Sequence, residues 1–155
     1  MKKFILTFLI SMVPLLELRG AIPIGKRMGV SLPDAVIISM IGNMVPMPFI
    51  FFFARKVLEW GKDKPVIGGF FRFCLEKGHK GGEKLKEKAG SKGMFWALLL
   101  FVGIPLPGTG AWTGTLAASM LDLDFKKSVI AVVSGVALAA AIISIVTVLG
   151  FNIFT

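Results

Sequence analysis

Two apolar segments of this chain are broken by proline and glycine at matching places about 90 residues apart, and the first of them carries a charge of each sign. Residues 12–25 read MVPLLELRGAIPIG, and residues 102–114 read VGIPLPGTGAWTG. Ionisable side chains inside an apolar segment are expensive and mark function in membrane proteins, which makes Glu17 and Arg19 the first site candidates. Irregular backbone at membrane depth survives only where protein or water surrounds it. Paired, interrupted apolar segments in corresponding halves of a chain point to a transporter's binding site.

Composition supports the membrane as solvent. Hydrophobic residues make up 55% of 155 positions and charged ones only 17%, with a mean hydropathy of +0.79. That balance is far from a soluble domain's, and the length suits a single membrane domain over 1–155. A lone cysteine, Cys74, excludes an intrachain disulfide, and a lone histidine, His79, excludes a His cluster. No metal or other cofactor is expected. The net charge of +9 flanks apolar spans, so anionic lipid headgroups explain it better than nucleic acid, for which no base-reading fold fits.

Along the chain, Lys2 and Lys3 precede an apolar arm, Phe4 to Val13, that stops at Pro14. Basic residues before an apolar stretch also resemble a secretory signal, but no small-residue cleavage site follows cleanly. Ten residues are too few to span a bilayer. The returning arm, Ala21 to Met28, is shorter still and is closed by Lys26 and Arg27. The two arms predict a re-entrant hairpin with an irregular tip near Pro14 to Pro23. Ser31, Pro33 and Asp34 then form a helix start: a capping hydroxyl, a first-turn proline and an acid at the positive helix end. Ala35 to Phe53 is long enough to span, with a kink expected at Pro46 and Pro48. Arg55 to Lys92 holds eleven basic and five acidic residues. Inside it Val66, Ile67, Phe70, Phe71, Cys74 and Leu75 recur with helical period, while Arg72, Glu76 and Lys77 take the other face. That pattern predicts an amphipathic helix lying on the cytoplasmic interface. Glu83 to Lys88 reads as a short exposed helix. The second half repeats the plan: a short arm from Met94 to Val102, a broken tip, a return from Ala111 to Leu121, a cap at Asp124 and an apolar span from Val129 to Leu149.

Aligning Gly20 with Gly110 gives an offset of 90, with Pro14 falling beside Pro105; Gly42 meets Gly135 at 93. The expected architecture is therefore an all-α integral membrane protein: repeat one at 1–58, a basic connector at 59–93 and repeat two at 94–155. If each hairpin makes no net crossing, the halves are inverted and the tips meet near the midplane. Thirteen basic residues then lie on the side of the central block and four on the other, which places the block in the cytoplasm. A conventional four-span topology gives the same split; the short arms favour hairpins.

Residues i and i+2 on a helix do not face each other, so a helical Glu17 and Arg19 need separate partners, whereas in an irregular tip they can pair directly. Two readings stand: a structural ion pair that fixes the tip, or a site on a water-filled vestibule. In the second reading the Arg19 guanidinium binds an anion, its planar fork suiting phosphate oxygens, and Glu17 titrates. Gly20 and Pro23 complete the first tip. The 90-residue offset puts Pro107 and Thr109 opposite the charges. The second tip then offers Pro105, Pro107, backbone amides of Gly108 and Gly110, hydroxyls of Thr109 and Thr113, and the Trp112 ring. A glycine-rich turn into a helix can cradle an anion. The glycines of Gly25-x-x-x-Gly29 and Gly110-x-x-x-Gly114 equally suit close helix packing. Asn43, alone among apolar residues, is expected to bond a neighbouring helix, and Trp60 and Trp96 to anchor at the interface.

Residues 16–25 (LELRGAIPIG) with 104–114 (IPLPGTGAWTG) resemble the small multi-drug export protein family of short prokaryotic membrane proteins. More distantly the layout resembles the DedA and VTT superfamily, which implies two opposed re-entrant hairpins and movement of lipids such as undecaprenyl phosphate. The arginine-containing motif usual in that superfamily's second hairpin is missing from Trp96 to Phe125. The resemblance implies a multi-pass inner-membrane transporter or flippase for an anionic lipid, plausibly a polyprenyl phosphate, with Arg19 holding the phosphate and Glu17 coupling protons. Alternatives are a proton-coupled exporter of small drugs and a non-transporting scaffold whose basic block recruits partners. An enzyme is not expected, for want of a nucleophile–His–acid set. A homodimer is expected, because so few full spans enclose no path alone.

Overall fold

The computed structural model describes residues 1–106 and 109–154; the side chains at 74, 77–79, 81–82, 84–86, 88 and 151–154 lie outside that description. The chain is all-helical, with no strand among the described residues. Its helices are α1 (Lys2–Ser11), α2 (Glu17–Arg27), α3 (Leu32–Met44), α4 (Met47–Gly61), α5 (Gly68–Gly103), α6 (Ala111–Met120) and α7 (Phe125–Phe154).

Two stretches are long and apolar enough to cross a membrane: Leu32–Gly61, of 30 residues, and Phe125–Gly150, of 26. The first is α3 and α4 joined end to end. The expected kink falls at Val45 and Pro46, both of which keep αR backbone and so hold the two helices nearly continuous. The shorter helices α1, α2 and α6 span 10, 11 and 10 residues, or roughly 15 Å each at the α-helical rise, half of a hydrocarbon core.

α1 and α2 form an antiparallel pair. Lys3 Nζ donates to the Gly29 carbonyl, which ties the open end of the hairpin together. Both pack on α3, and glycine sets how closely the pair itself approaches: a Cβ on Gly25 of α2 would stand 2.9 Å from Thr7 Oγ1 of α1. α5 is really two helices. Gly90, at φ 62° and ψ −178°, interrupts it and separates the basic connector from the apolar arm that packs on α6 and α7. The amphipathic helix expected from Val66 therefore starts at Gly68 and continues through the Glu83–Lys88 stretch instead of ending near Leu75. Its Phe70 and Phe73 are exposed, and Arg72 Nε reaches back to the Lys62 carbonyl at 2.9 Å. The core is a cluster of Leu18, Ile22, Met47, Leu98, Val102, Val132 and Val136 with small alanines of α6 and α7.

Local geometry recurs at a fixed interval. The Met28, Gly29 and Val30 N–H groups donate to Ile24, Lys26 and Gly25; those of Leu121, Asp122 and Leu123 donate to Ala117, Ser119 and Ala118, each 93 positions on. This is the left-handed helix stop that favours glycine: Gly29 has φ 77° and Asp122 φ 57°. Two residues later Ser31 Oγ accepts from the Asp34 N–H, and Asp124 Oδ1 from the Lys127 N–H, so α3 and α7 are capped alike. The first arms correspond at 91: Gly42 presses on the Phe8 carbonyl and Ser11, Gly135 on the Leu99 carbonyl and Val102. The second tip is two residues longer than the first, which turns 91 into 93. At the tips the correspondence therefore differs from the alignment by Gly20. Glu17 stands opposite Gly110, and both open a helix with positive φ, 48° and 147°.

Candidate functional site

α6 begins without a capping side chain of its own, leaving backbone N–H groups that need acceptors. Glu17 supplies them from the other hairpin. Its carboxylate accepts from the Trp112 N–H at 3.0 Å and from the Ala111 N–H at 3.3 Å, and the residue is 4% exposed. An acid at the positive end of a helix is electrostatically favoured.

Arg19 does the converse at the end of α5. Its guanidinium donates to the carbonyls of Val102 and Ile104, each at 3.4 Å, to Leu106, and to Thr109 Oγ1 at 3.0 Å. Val102 lies in the last turn of α5, whose carbonyls a helix leaves unpaired at its negative end; Ile104 and Leu106 follow in the turn, where their carbonyls also accept the Leu106 and Thr109 N–H groups. The Thr109 hydroxyl also stands 2.9 Å from the Ile104 and Leu106 carbonyls, which pins the turn that Arg19 reads. No ion pair joins Glu17 to Arg19 among the described residues. Both lie on α2, where a spacing of two sends them in different directions, and each finds its own helix end.

Two further contacts close the tip-to-tip junction, and one within the second tip supports it. The Trp112 indole N–H donates to the Met12 carbonyl at 3.1 Å. Thr113 Oγ1 points back to the Gly110 carbonyl at 3.4 Å. A Cβ on Gly110 would stand 2.2 Å from Glu17 Oε2, so only glycine admits the carboxylate. Of the other sequence candidates, Gly20 and Pro23 lie along α2 and make none of these contacts, Pro105 lies within the turn, and Pro107 and Gly108 fall outside the described residues. Sequence reasoning missed the carbonyls of Met12, Val102, Ile104 and Leu106. Backbone acceptors have no residue signature, although a helix opening at Gly110 without Ser, Thr, Asp or Asn is a signal that a cap must come from elsewhere.

An open apolar groove of about 540 Å³ runs from this junction along α4. It is lined by Pro14, Leu15, Phe49, Phe53, Trp112 and Leu116, among others. Phe49 and Phe53 stack with centroids 6.4 Å apart and are more than half exposed. No charged side chain lines the groove among the described residues.

No curated protein matches the chain, and no solved structure does. No match to the DedA and VTT superfamily accompanies the family result. A family model described as "Putative small multi-drug export protein" matches residues 17–142, from the charged tip to the middle of α7, and the chain belongs to that family.

Proposed function

We propose that the protein is a multi-pass inner-membrane exporter of apolar or lipophilic cationic small molecules, gated by the contact between its two hairpin tips. One observation carries this reading: Glu17 and Arg19, from one hairpin, neutralise the two helix ends of the other, beside an aromatic groove. Two short antiparallel arms in each half, joined by recurring caps 93 residues apart, support an inverted repeat of re-entrant hairpins. The basic block then faces the cytoplasm, and two copies complete the path.

The groove suits such cargo. Its faces are Trp112, Phe49 and Phe53, and aromatic faces attract cations that are weakly hydrated. The lipid-phosphate reading of Arg19 is less favoured, because a phosphate would have to displace the carbonyls and hydroxyl that already hold the guanidinium. Protonation of Glu17 gives the gate its coupling. It converts one acceptor oxygen into a donor that faces an N–H and removes the countercharge from Arg19. Charge-assisted bonds contribute about 1.5–3 kcal/mol each and neutral ones about 1. Losing that difference at two bonds weakens the closed junction by roughly 1–4 kcal/mol, enough to shift an open–closed equilibrium about 5- to 1,000-fold.

The test is reconstitution in liposomes with an imposed pH gradient and a fluorescent lipophilic cation. The wild-type protein is expected to accumulate the dye and to lose it when the gradient is collapsed; Glu17→Gln is expected to abolish the dependence on the gradient. Exchange of a labelled polyprenyl phosphate with no movement of the cation would overturn the reading in favour of an anion at Arg19.

A further inference from the structure

Where one long apolar stretch ends and the other begins, the fold leaves an open cavity of about 640 Å³. The Arg55 guanidinium on α4 donates to Asp122, just before α7, which brings the end of Leu32–Gly61 beside the start of Phe125–Gly150. The cavity lies at this end, between the apolar arm of α5 and the turn from α6 to α7, and Ser91 at its edge follows the Gly90 break from the basic connector. Its volume falls within the range of about 300–1,000 Å³ usual for small-molecule sites. The lining is of two kinds: Met94, Phe95, Leu98 and Leu123 are apolar, while Ser91, Asp122, Asp124 and Lys127 are polar or charged. Met94, Leu98 and Leu123 also wall a neighbouring cavity of about 170 Å³, which reaches Ala97, Phe101 and Leu121 and has no polar side chain in its lining among the described residues.

The charges of this lining are not equally free. Lys127 Nζ donates to Ser91 Oγ at 2.7 Å. Asp122 is held by Arg55, whose Nε also donates to Glu59 at 3.1 Å. Asp124 Oδ1 accepts the Lys127 N–H at 2.9 Å as the cap of α7. The second carboxylate oxygen of Asp124 takes no hydrogen bond or ion pair among the described residues. Two acids against one base leave the lining negative, in a chain whose net charge is +9. Lys92 and Lys126 neighbour these residues in sequence but line neither cavity.

From this pairing of an unspent carboxylate oxygen with an apolar, partly aromatic recess, we infer a loading site for amphiphilic organic cations. The cationic group seats against Asp124, and the apolar body lies on Met94, Phe95 and Leu98 with its far end toward Phe101. The Phe95 ring adds a face that attracts weakly hydrated cations. An anionic amphiphile is disfavoured there, since it meets two carboxylates and a Lys127 ammonium that is already engaged. The inference rests on the exporter reading and deepens it: the cargo is a cation with an apolar body, and it is first held at the end that carries the basic connector. This site shares no residue with the groove along α4.

The site is tested by binding, apart from transport. The purified full-length protein in detergent is titrated against rhodamine 6G, a fluorescent amphiphilic cation, and bound dye is read by fluorescence anisotropy. Asp124→Asn removes the charge and keeps the helix cap, since Asn and Asp serve about equally there. It is expected to weaken binding about 5-fold, the upper range for a partly exposed charge pair. Ala97→Phe fills the apolar end and is expected to weaken binding with no change of charge, while Lys127→Gln is expected to strengthen it. Wild-type affinity in both Asp124→Asn and Ala97→Phe would overturn the site, as would binding lost only in the groove variant Phe53→Ala; the exporter reading would survive either result. Tighter binding by Asp124→Asn together with weaker binding by Lys127→Gln would also overturn it, in favour of an anion. Binding that responds as expected, in a protein that moves no dye in liposomes, would support the site and overturn the exporter reading alone.

Discussion

Gly110→Ala concentrates the logic of the tip-to-tip junction in one methyl group. Gly110 has φ 147° and ψ −172°, a region that essentially only glycine occupies. Forcing alanine there costs of order 1–3 kcal/mol in backbone strain. The added Cβ would also stand 2.2 Å from Glu17 Oε2 and 2.7 Å from the carboxyl carbon, so the carboxylate must retreat. Retreat breaks at least one charge-assisted bond, to Trp112 or Ala111, worth about 1.5–3 kcal/mol. The sum is about 3–6 kcal/mol, which in a chain of this length lowers Tm by at least roughly 6 °C. Thermal unfolding in detergent, followed by tryptophan fluorescence, reads it directly, because Trp112 donates the indole bond to Met12. Gly69→Ala is the control: no atom lies within 4 Å of its Cβ, and it sits in a helix, so it should be neutral or slightly stabilising. Equal Tm values for the two variants would refute the claim that Glu17 is held against a bare helix end.

Further outcomes are expected from the same geometry. Arg19→Lys should lower stability by about 2 kcal/mol in chemical denaturation, because one ammonium cannot serve a fork that reaches Leu106 and Thr109 together. Gly42→Ala and Gly135→Ala should each lose about 1–3 kcal/mol by overpacking, since each Cβ would meet a backbone carbonyl at 2.7 Å, and a loss at only one would contradict equivalent packing in the halves. Asp122→Gly, which takes the residue found at Gly29, should stay within about 1 kcal/mol of wild type, because the Arg55 pair it gives up is exposed and the φ of 57° suits glycine.

Much of the scaffold was legible because its signals are local. Ser31 and Asp124 cap their helices as their positions suggested, and the apolar lengths marked the two long stretches. Glu17 and Arg19 stood out because charge is rare in such a segment. Their partners did not, since a guanidinium read by backbone carbonyls leaves no trace in residue identity. Asn43, expected to bond a neighbouring helix, is buried with neither amide atom paired. Nor was the register legible: the glycines at 20 and 110 look equivalent in sequence, but the structural match pairs Gly110 with Glu17, because the second tip carries two more residues. The Gly90 break lies within three residues of the boundary expected between the basic connector and the second repeat, in a stretch, residues 90–93, that holds two glycines.

The unequal charge of the two halves follows from how they meet. At the 93-residue correspondence Glu17 and Gly110 are equivalent positions, and the structure puts them against each other, with the place for a Cβ on one at 2.2 Å from the carboxylate of the other. Two side chains cannot share that point, and two carboxylates there would repel as well as clash. One half must therefore present bare backbone, and the other must bring the charge for both. That division explains why Glu17 and Arg19 fall together on α2 with opposite signs: the bare half exposes one helix end of each polarity, the carbonyls closing α5 and the N–H groups opening α6. A single residue change at either position is felt in both hairpins. Any separation of the two tips breaks the bonds of the acid and those of the base together.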